Sequence, residues 1–232
     1  MKKVVFSLLV LALYVSGALA QAPADLKSDI YSKLECCACE IAFNKCGCKE
    51  AIEMKAYIDA LIDSGLAQEE IFYKVAKKYT LGVIIDEQVK TTVRARLIKE
   101  TGGKRPQIIL EPAFFNFGNA SKKTGSIRKI FKLYNKGNAD LVITNIRVSC
   151  ECVTASLKVG NNKSPVFGVR GAAHSGWQEV IKKGQSGELE VVMDLAHPSM
   201  EAGKKEIRDI FIASNDPLNS QLTLRVEIDV RE

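Results

Sequence analysis

The sequence predicts a multidomain protein, α then β: a small three-helix bundle followed by an antiparallel β-sandwich. Three observations predict it. Apolar residues recur at helical spacing through residues 24–100, and at a spacing of two from Ile108 onward. "TGGKRPQ" separates the two regimes with glycines and a proline. The 232 residues suffice for two small domains, since a domain usually holds about 100–200 residues.

Residues 1–20 read as a secretory signal peptide. "MKK" is a cationic start, "VVFSLLVLALYVSG" an uncharged apolar core, and Ala18 and Ala20 the small residues before a cut ahead of Gln21. The apolar run is shorter than the about 20 residues of a spanning helix. An uncleaved signal would leave N-terminal membrane association. Export places the cysteines where disulfides are permitted. The formal charge of +6 falls to about +4 once Lys2 and Lys3 leave, too weak and too scattered for a nucleic-acid partner.

The helices follow in order. Leu26, Ile30 and Leu34 lie four apart on one face. "EAIEMKAYIDALIDSG" places Met54, Tyr57, Ile58, Leu61 and Ile62 on another, with Gly65 as a stop. "QEEIFYKVAKKY" puts Glu69 and Glu70 in its first turn and Lys77 and Lys78 near its end, as the helix dipole favours. "DEQVKTTVRARLIKE" suits a fourth, mostly exposed basic helix within a helical or flexible linker over 87–107. From 108 the strands alternate. Leu222, Leu224, Val226, Ile228 and Val230 interleave with Thr223, Arg225, Glu227, Asp229 and Arg231, giving one buried and one wet face. "GELEVVMDL", "IRKIFKLYN", "LVITNIRVSC" and "EIRDIFIAS" are also strand-like, and "NKGN" and "NDP" read as turns between strands.

Five of the seven cysteines crowd into "LECCACEIAFNKCGC". Cys36 and Cys39 form C-x-x-C, placed between two helices where a helix N-terminus lowers a thiol pKa. Cys37 lies between them, and Cys46 and Cys48 form C-x-C, able to close a ring, lock the loop or resolve a mixed disulfide. Cys36, Cys39, Cys46 and Cys48 together offer four thiolates to Zn²⁺ or to copper(I). Redox pair, metal ligands and structural bridges are all open readings. The odd count leaves at least one thiol without an intramolecular partner.

"LECCAC", with the helices after it, resembles the N-terminal domain of the CcmH/CycL/NrfF family over about residues 26–86. That family contains three-helix thiol-disulfide oxidoreductases of periplasmic cytochrome c maturation. The resemblance implies Cys36 and Cys39 as the catalytic pair and no cofactor. It implies as partners apocytochrome c or another thiol-disulfide protein, and the cytochrome c maturation complex. Glu35 stands where the family has Arg and Glu40 where it has Gln. Cys37, Cys46 and Cys48 have no counterpart, and the family's later transmembrane helix is missing. The second half, from "LEPAFFNFGN" through "NKGNADLVITNIRVSCECVT" to "IASNDP", is similar to a bacterial Ig-like sandwich of unknown function, of the major-sperm-protein type. Phe115, Phe117, Gly118, Asn135, Gly137, Cys150 and Cys152 fall on its motif. That family brings no activity.

The expected organisation is therefore signal peptide 1–20, redox domain 24–86, linker 87–107 and Ig-like sandwich 108–232. The expected function keeps the C-x-x-C-H thiols of apocytochrome c reduced for haem attachment. The alternative is a non-enzymatic protein, holding zinc or copper or stapled by disulfides as an adaptor. Cys150 and Cys152 share one strand face and read first as structural, with a local disulfide or pairing to a partner's thiols also open. His174 and His197 read as polar loop residues and Trp177 as core or rim. Asn119 and Asn162 fit a common glycosylation triplet.

Overall fold

The computed structural model describes residues 23–39, 41–168, 174 and 176–232. The expected signal peptide and Glu40 lie outside the described residues. The described chain runs through α1 (Pro23–Ser32), α2 (Lys49–Asp63), α3 (Gln68–Lys78) and, after a 3₁₀ turn at Leu81–Val83, α4 (Glu87–Glu100). Ten strands follow: β1 (Ile108–Glu111), β2 (Phe114–Ser121), β3 (Ser126–Asn135), β4 (Leu141–Val148), β5 (Val153–Val159), β6 (Asn162–Lys163), β7 (Glu179–Ile181), β8 (Ser186–Asp194), β9 (Lys205–Ser214) and β10 (Gln221–Arg231).

This corrects the expected fold class. The molecule is mainly β, with two five-stranded sheets ordered β1-β3-β8-β5-β6 and β2-β10-β9-β4-β7. It is not a three-helix bundle followed by an antiparallel sandwich. The second sheet is mixed, because β10 pairs β2 in parallel, with Arg225 opposite Phe114 and Arg231 opposite Ser121. The helical region meets this sheet at Phe211, at Leu218 and Ser220 of the β9–β10 turn, and at Arg225. Alternation in β9 explains how. Ile210 and Ile212 point between the sheets, while Phe211 points outward and is buried among the helical apolar residues. At Phe211 helical side chains take the place of water on this face, whereas Ile207 on the same face stays exposed.

Two turn motifs turn out to be buried polar staples. Asn135 of "NKGN" is fully buried. Its Nδ2 donates to the carbonyls of Ala139 (2.8 Å) and Ile181 (2.9 Å), and its Oδ1 accepts from the N–H groups of Gly137 (3.0 Å) and Gln107 (3.3 Å). Asp216 of "NDP" is also fully buried and accepts from the N–H groups of Ile108 (3.0 Å) and Leu218 (2.9 Å). Both satisfy the rule that a buried polar group is hydrogen-bonded. They fix the chain where it enters β1.

Residues 87–107 are helical over α4, which caps on Asp86 (Val89 N–H to Oδ1, 2.9 Å) and buries Val93 and Leu97. Thr80 Oγ1 donates to the Leu218 carbonyl (3.0 Å), and Ser220 Oγ to that of Ala76 (3.2 Å), tying the helices to the β9–β10 turn.

Candidate metal centre

The loop between α1 and α2 is built as a narrow hairpin. Leu34 bridges Ile84, and Glu35 bridges Ala42. The Cys36 N–H donates to the Ile41 carbonyl (2.9 Å) and the Phe43 N–H to that of Leu34 (3.2 Å). Phe43 is fully buried beneath the loop, edge-on to Tyr31 at 4.9 Å between centroids. A further turn brings the Cys46 N–H to the Ala42 carbonyl (3.2 Å). Cys48 then caps α2 by accepting from the Ala51 N–H at 3.4 Å.

This path converges four thiols. The sulfurs of Cys36, Cys39, Cys46 and Cys48 all lie within 4.8 Å of one another. Cys48 Sγ is 3.4 Å from Cys36 Sγ and 3.5 Å from Cys46 Sγ. A disulfide needs about 2.05 Å, and all five cysteines of the loop are free. Cys36 and Cys46 are buried, and Cys39 and Cys48 are half-buried. The expected isolated pair, Cys36 with Cys39, is thus half of a four-sulfur group. Cys37 lies outside that group.

Backbone donors point at the sulfurs. The Ala38 N–H reaches Cys36 Sγ at 3.5 Å. The Cys48 N–H donates to Cys46 and holds its thiol below the usual range. Burial pushes Cys39 up to about 11 and raises Cys48, with the Ala51 N–H working against the latter. Cys37 is pushed up to about 12, first by burial and then by the charges of Cys36 and Glu50. Lys55 Nζ donates to the Cys46 carbonyl (2.6 Å), and the Arg225 guanidinium donates to that of Ala38. Arg225 is in turn paired with Asp209 at 2.9 Å, so β9 and β10 hold the first half of the loop in place.

Cys150 and Cys152 lie apart from this group and form a disulfide with a Cα–Cα distance of 5.2 Å. The sequence had left that pairing open. His174 Nε2 lies 3.0 Å from the Val166 carbonyl, and His197 Nδ1 2.8 Å from Ser199 Oγ. Trp177 packs edge-on against Phe167, at the rim of the sandwich core. The four that converge are the set that the sequence offers as metal ligands, beside the redox and structural readings. Their shared membership of one short loop was the available signal.

A family model described as a protein of unknown function (DUF1573) matches residues 108–165. The expected likeness of the second half to an Ig-like domain of unknown function is supported to that extent. No curated protein matches the chain. Similar solved structures include a protein of unknown function from Porphyromonas gingivalis W83, at 16% identity and a TM-score of 0.41, over 55% of this chain and 48% of that one. The secreted serine protease VesC from Vibrio cholerae is 14% identical, with a TM-score of 0.35, over 57% of this chain and 24% of the other. The PapD-like domain 7 of human CEP192 is 13% identical, with a TM-score of 0.29, over 55% of this chain and 86% of that domain. This chain thus spans about half of the first and a quarter of the second. The expected cytochrome c maturation domain finds no counterpart among them. Among the described residues no helix is long and apolar enough to cross a membrane.

Proposed function

We propose that this is an exported protein that holds a soft cation, zinc first, on Cys36, Cys39, Cys46 and Cys48. One observation carries the reading: the four sulfurs lie within 4.8 Å of one another. A zinc–sulfur bond of about 2.3 Å places the corners of a tetrahedron about 3.8 Å apart. Four protein ligands leave no open position, which is the pattern of a structural centre rather than a catalytic one. The N–H groups of Ala38, Cys48 and Ala51 suit thiolates, and they orient the ligands as an outer shell does. The cation would pin the α1–α2 loop, and through Ala38 and Arg225 would brace the helical region on the sheet.

Protein purified without chelator should carry one equivalent of zinc, measured by elemental analysis. All four thiols should resist alkylation until a chelator is added, whereas Cys37→Ser should bind zinc normally. Each of Cys36→Ser, Cys39→Ser, Cys46→Ser and Cys48→Ser should weaken zinc by about tenfold or more. Metal-free protein with alkylatable cluster thiols, or with these thiols in disulfides, would refute the reading.

A second reading is favoured by the 3.4 Å and 3.5 Å approaches of Cys48 to Cys36 and Cys46. Such thiols close a disulfide after a small shift, which suits thiol-disulfide exchange with the apocytochrome c C-x-x-C-H pair or another dithiol protein. In that case Cys48→Ser abolishes reduction of a C-x-x-C-H peptide disulfide, and no metal co-purifies.

A further inference from the structure

The end of the sandwich remote from β1 carries a second sulfur site, independent of the four-thiol group. Its disulfide, Cys150–Cys152, spans two positions of the turn between β4 and β5. The two sulfurs differ in surroundings. Cys150 is half-buried and open on one side, and its Sγ lies 3.3 Å from Ser199 Oγ. Cys152 is 1% exposed, and its Sγ accepts from Arg208 Nε at 3.0 Å.

Arg208 is held from every side. Its guanidinium donates from Nη1 to the Ile207 carbonyl (2.8 Å) and from Nη2 to that of Ser199 (3.3 Å). It is paired with Glu206 at 2.8 Å. Nη2 also lies 3.6 Å from Met200 Sδ, and Met200 is fully buried. A strand residue facing the sandwich interior is normally apolar, as Ile210 and Ile212 are two and four positions later. A guanidinium there, aimed at a sulfur, is the departure that needs a reason. A neutral disulfide sulfur is a poor acceptor. A buried thiolate without a cation is strongly disfavoured.

We propose that Cys150–Cys152 is a redox-active disulfide that oxidises an exposed protein dithiol. Arg208 acts as the catalytic cation that holds the leaving Cys152 thiolate. A substrate thiolate attacks the accessible Cys150 sulfur. The substrate–Cys150 bond forms, the Cys150–Cys152 bond breaks, and Cys152 leaves as a thiolate hydrogen-bonded by Arg208. The second substrate thiolate then attacks the substrate sulfur of the mixed disulfide, closing the substrate disulfide and releasing Cys150. Two electrons pass from the substrate dithiol to this pair. A disulfide on another protein partner returns the pair to its oxidised form by the reverse exchange. The asymmetry fits the chemistry, since the exposed sulfur is the one attacked and the stabilised sulfur the one that leaves.

Trypsin can release Val148–Lys158, which holds both cysteines and no other, so the pair can be read by mass spectrometry in the full chain. The protein is equilibrated in a series of glutathione buffers, and free thiols are trapped with acid and an alkylating agent. The pair should pass from oxidised to reduced across buffers that poise catalytic dithiols. Arg208→Gln should lower the reduced-to-oxidised ratio by about tenfold or more, the scale of one charge-assisted hydrogen bond. Arg208→Lys, which retains the cation, should lose less. Cys152→Ser should accumulate a glutathione adduct on Cys150, and Cys150→Ser should accumulate none on Cys152. A pair that stays oxidised in every buffer, or equal losses in both Arg208 variants, or an adduct favouring Cys152, would overturn the assignment.

Discussion

Cys37 illustrates what one side chain contributes apart from its neighbours. It lies in the densest cysteine run of the sequence, yet it stays outside the four-sulfur group. Burial pushes its thiol up to about 12, and the same pocket pushes Tyr79 up to about 12, again chiefly by burial, with the Cys37 charge as a further cause. A thiol whose folded pKa lies above its unfolded value of about 9 favours folding while it stays protonated. That contribution is complete below pH about 9 and is lost as pH rises toward about 12. Chemical denaturation of metal-free protein should therefore show stability falling as pH rises from about 9 toward about 12. Cys37→Ala should shrink that drop, and an unchanged drop would assign it elsewhere. The sequence offers Cys36, Cys39, Cys46 and Cys48 as one ligand set, but it does not choose between that set, a lone C-x-x-C pair and structural bridges. The selection depends on hairpin hydrogen bonds such as Cys36 N–H to Ile41 O, and on Cys48 becoming a helix cap.

At the scale of elements, the tight spots lie in connections. Gly137 follows β3 where the chain entering β1 crosses it. A Cβ added there would meet the Arg105 carbonyl oxygen at 2.4 Å and the Gln107 nitrogen at 2.5 Å. The Gln107 N–H is held by Asn135 Oδ1 and the Arg105 carbonyl by the N–H groups of Asn138 and Ala139, so these backbone atoms cannot rotate away. Gly137→Ala should cost about 3 kcal/mol or more, at the upper end for overpacking, by equilibrium urea denaturation. A loss below about 1 kcal/mol would show that the crossing can yield. The strand patterns themselves read well. In β10, Leu224, Val226, Ile228 and Val230 are buried as their alternation requires. The amphipathic spacing in α2 and α3 likewise places Met54, Ile58, Ile71, Phe72 and Val75 inward. The direction of β10 against β2 was not readable. Periodicity reports which face is apolar and nothing about which neighbour runs parallel.

Across the whole molecule, the helical region and the sandwich share Phe211, a strand residue buried among helices, with Leu218 packed beside it. Phe211→Ala should lower stability by about 3–5 kcal/mol, the usual cost of a large buried aromatic. It should also speed hydrogen exchange in α3. Unchanged protection of α3 would mean that the helices hold without this anchor. From the sequence alone came the alternation of the strands, the helical faces, the cysteine crowding and the turn residues Asn135, Gly137 and Asp216. These are local, because period and turn chemistry are written within a few residues. Tertiary structure alone decided that Phe211 on the outward face of β9 is covered, and that the sulfurs of Cys46 and Cys48 meet those of Cys36 and Cys39. It also decided that Arg208 meets Cys152 across a separation of 56 residues. Those outcomes depend on distant segments meeting, and a single segment's pattern carries no record of what packs against it.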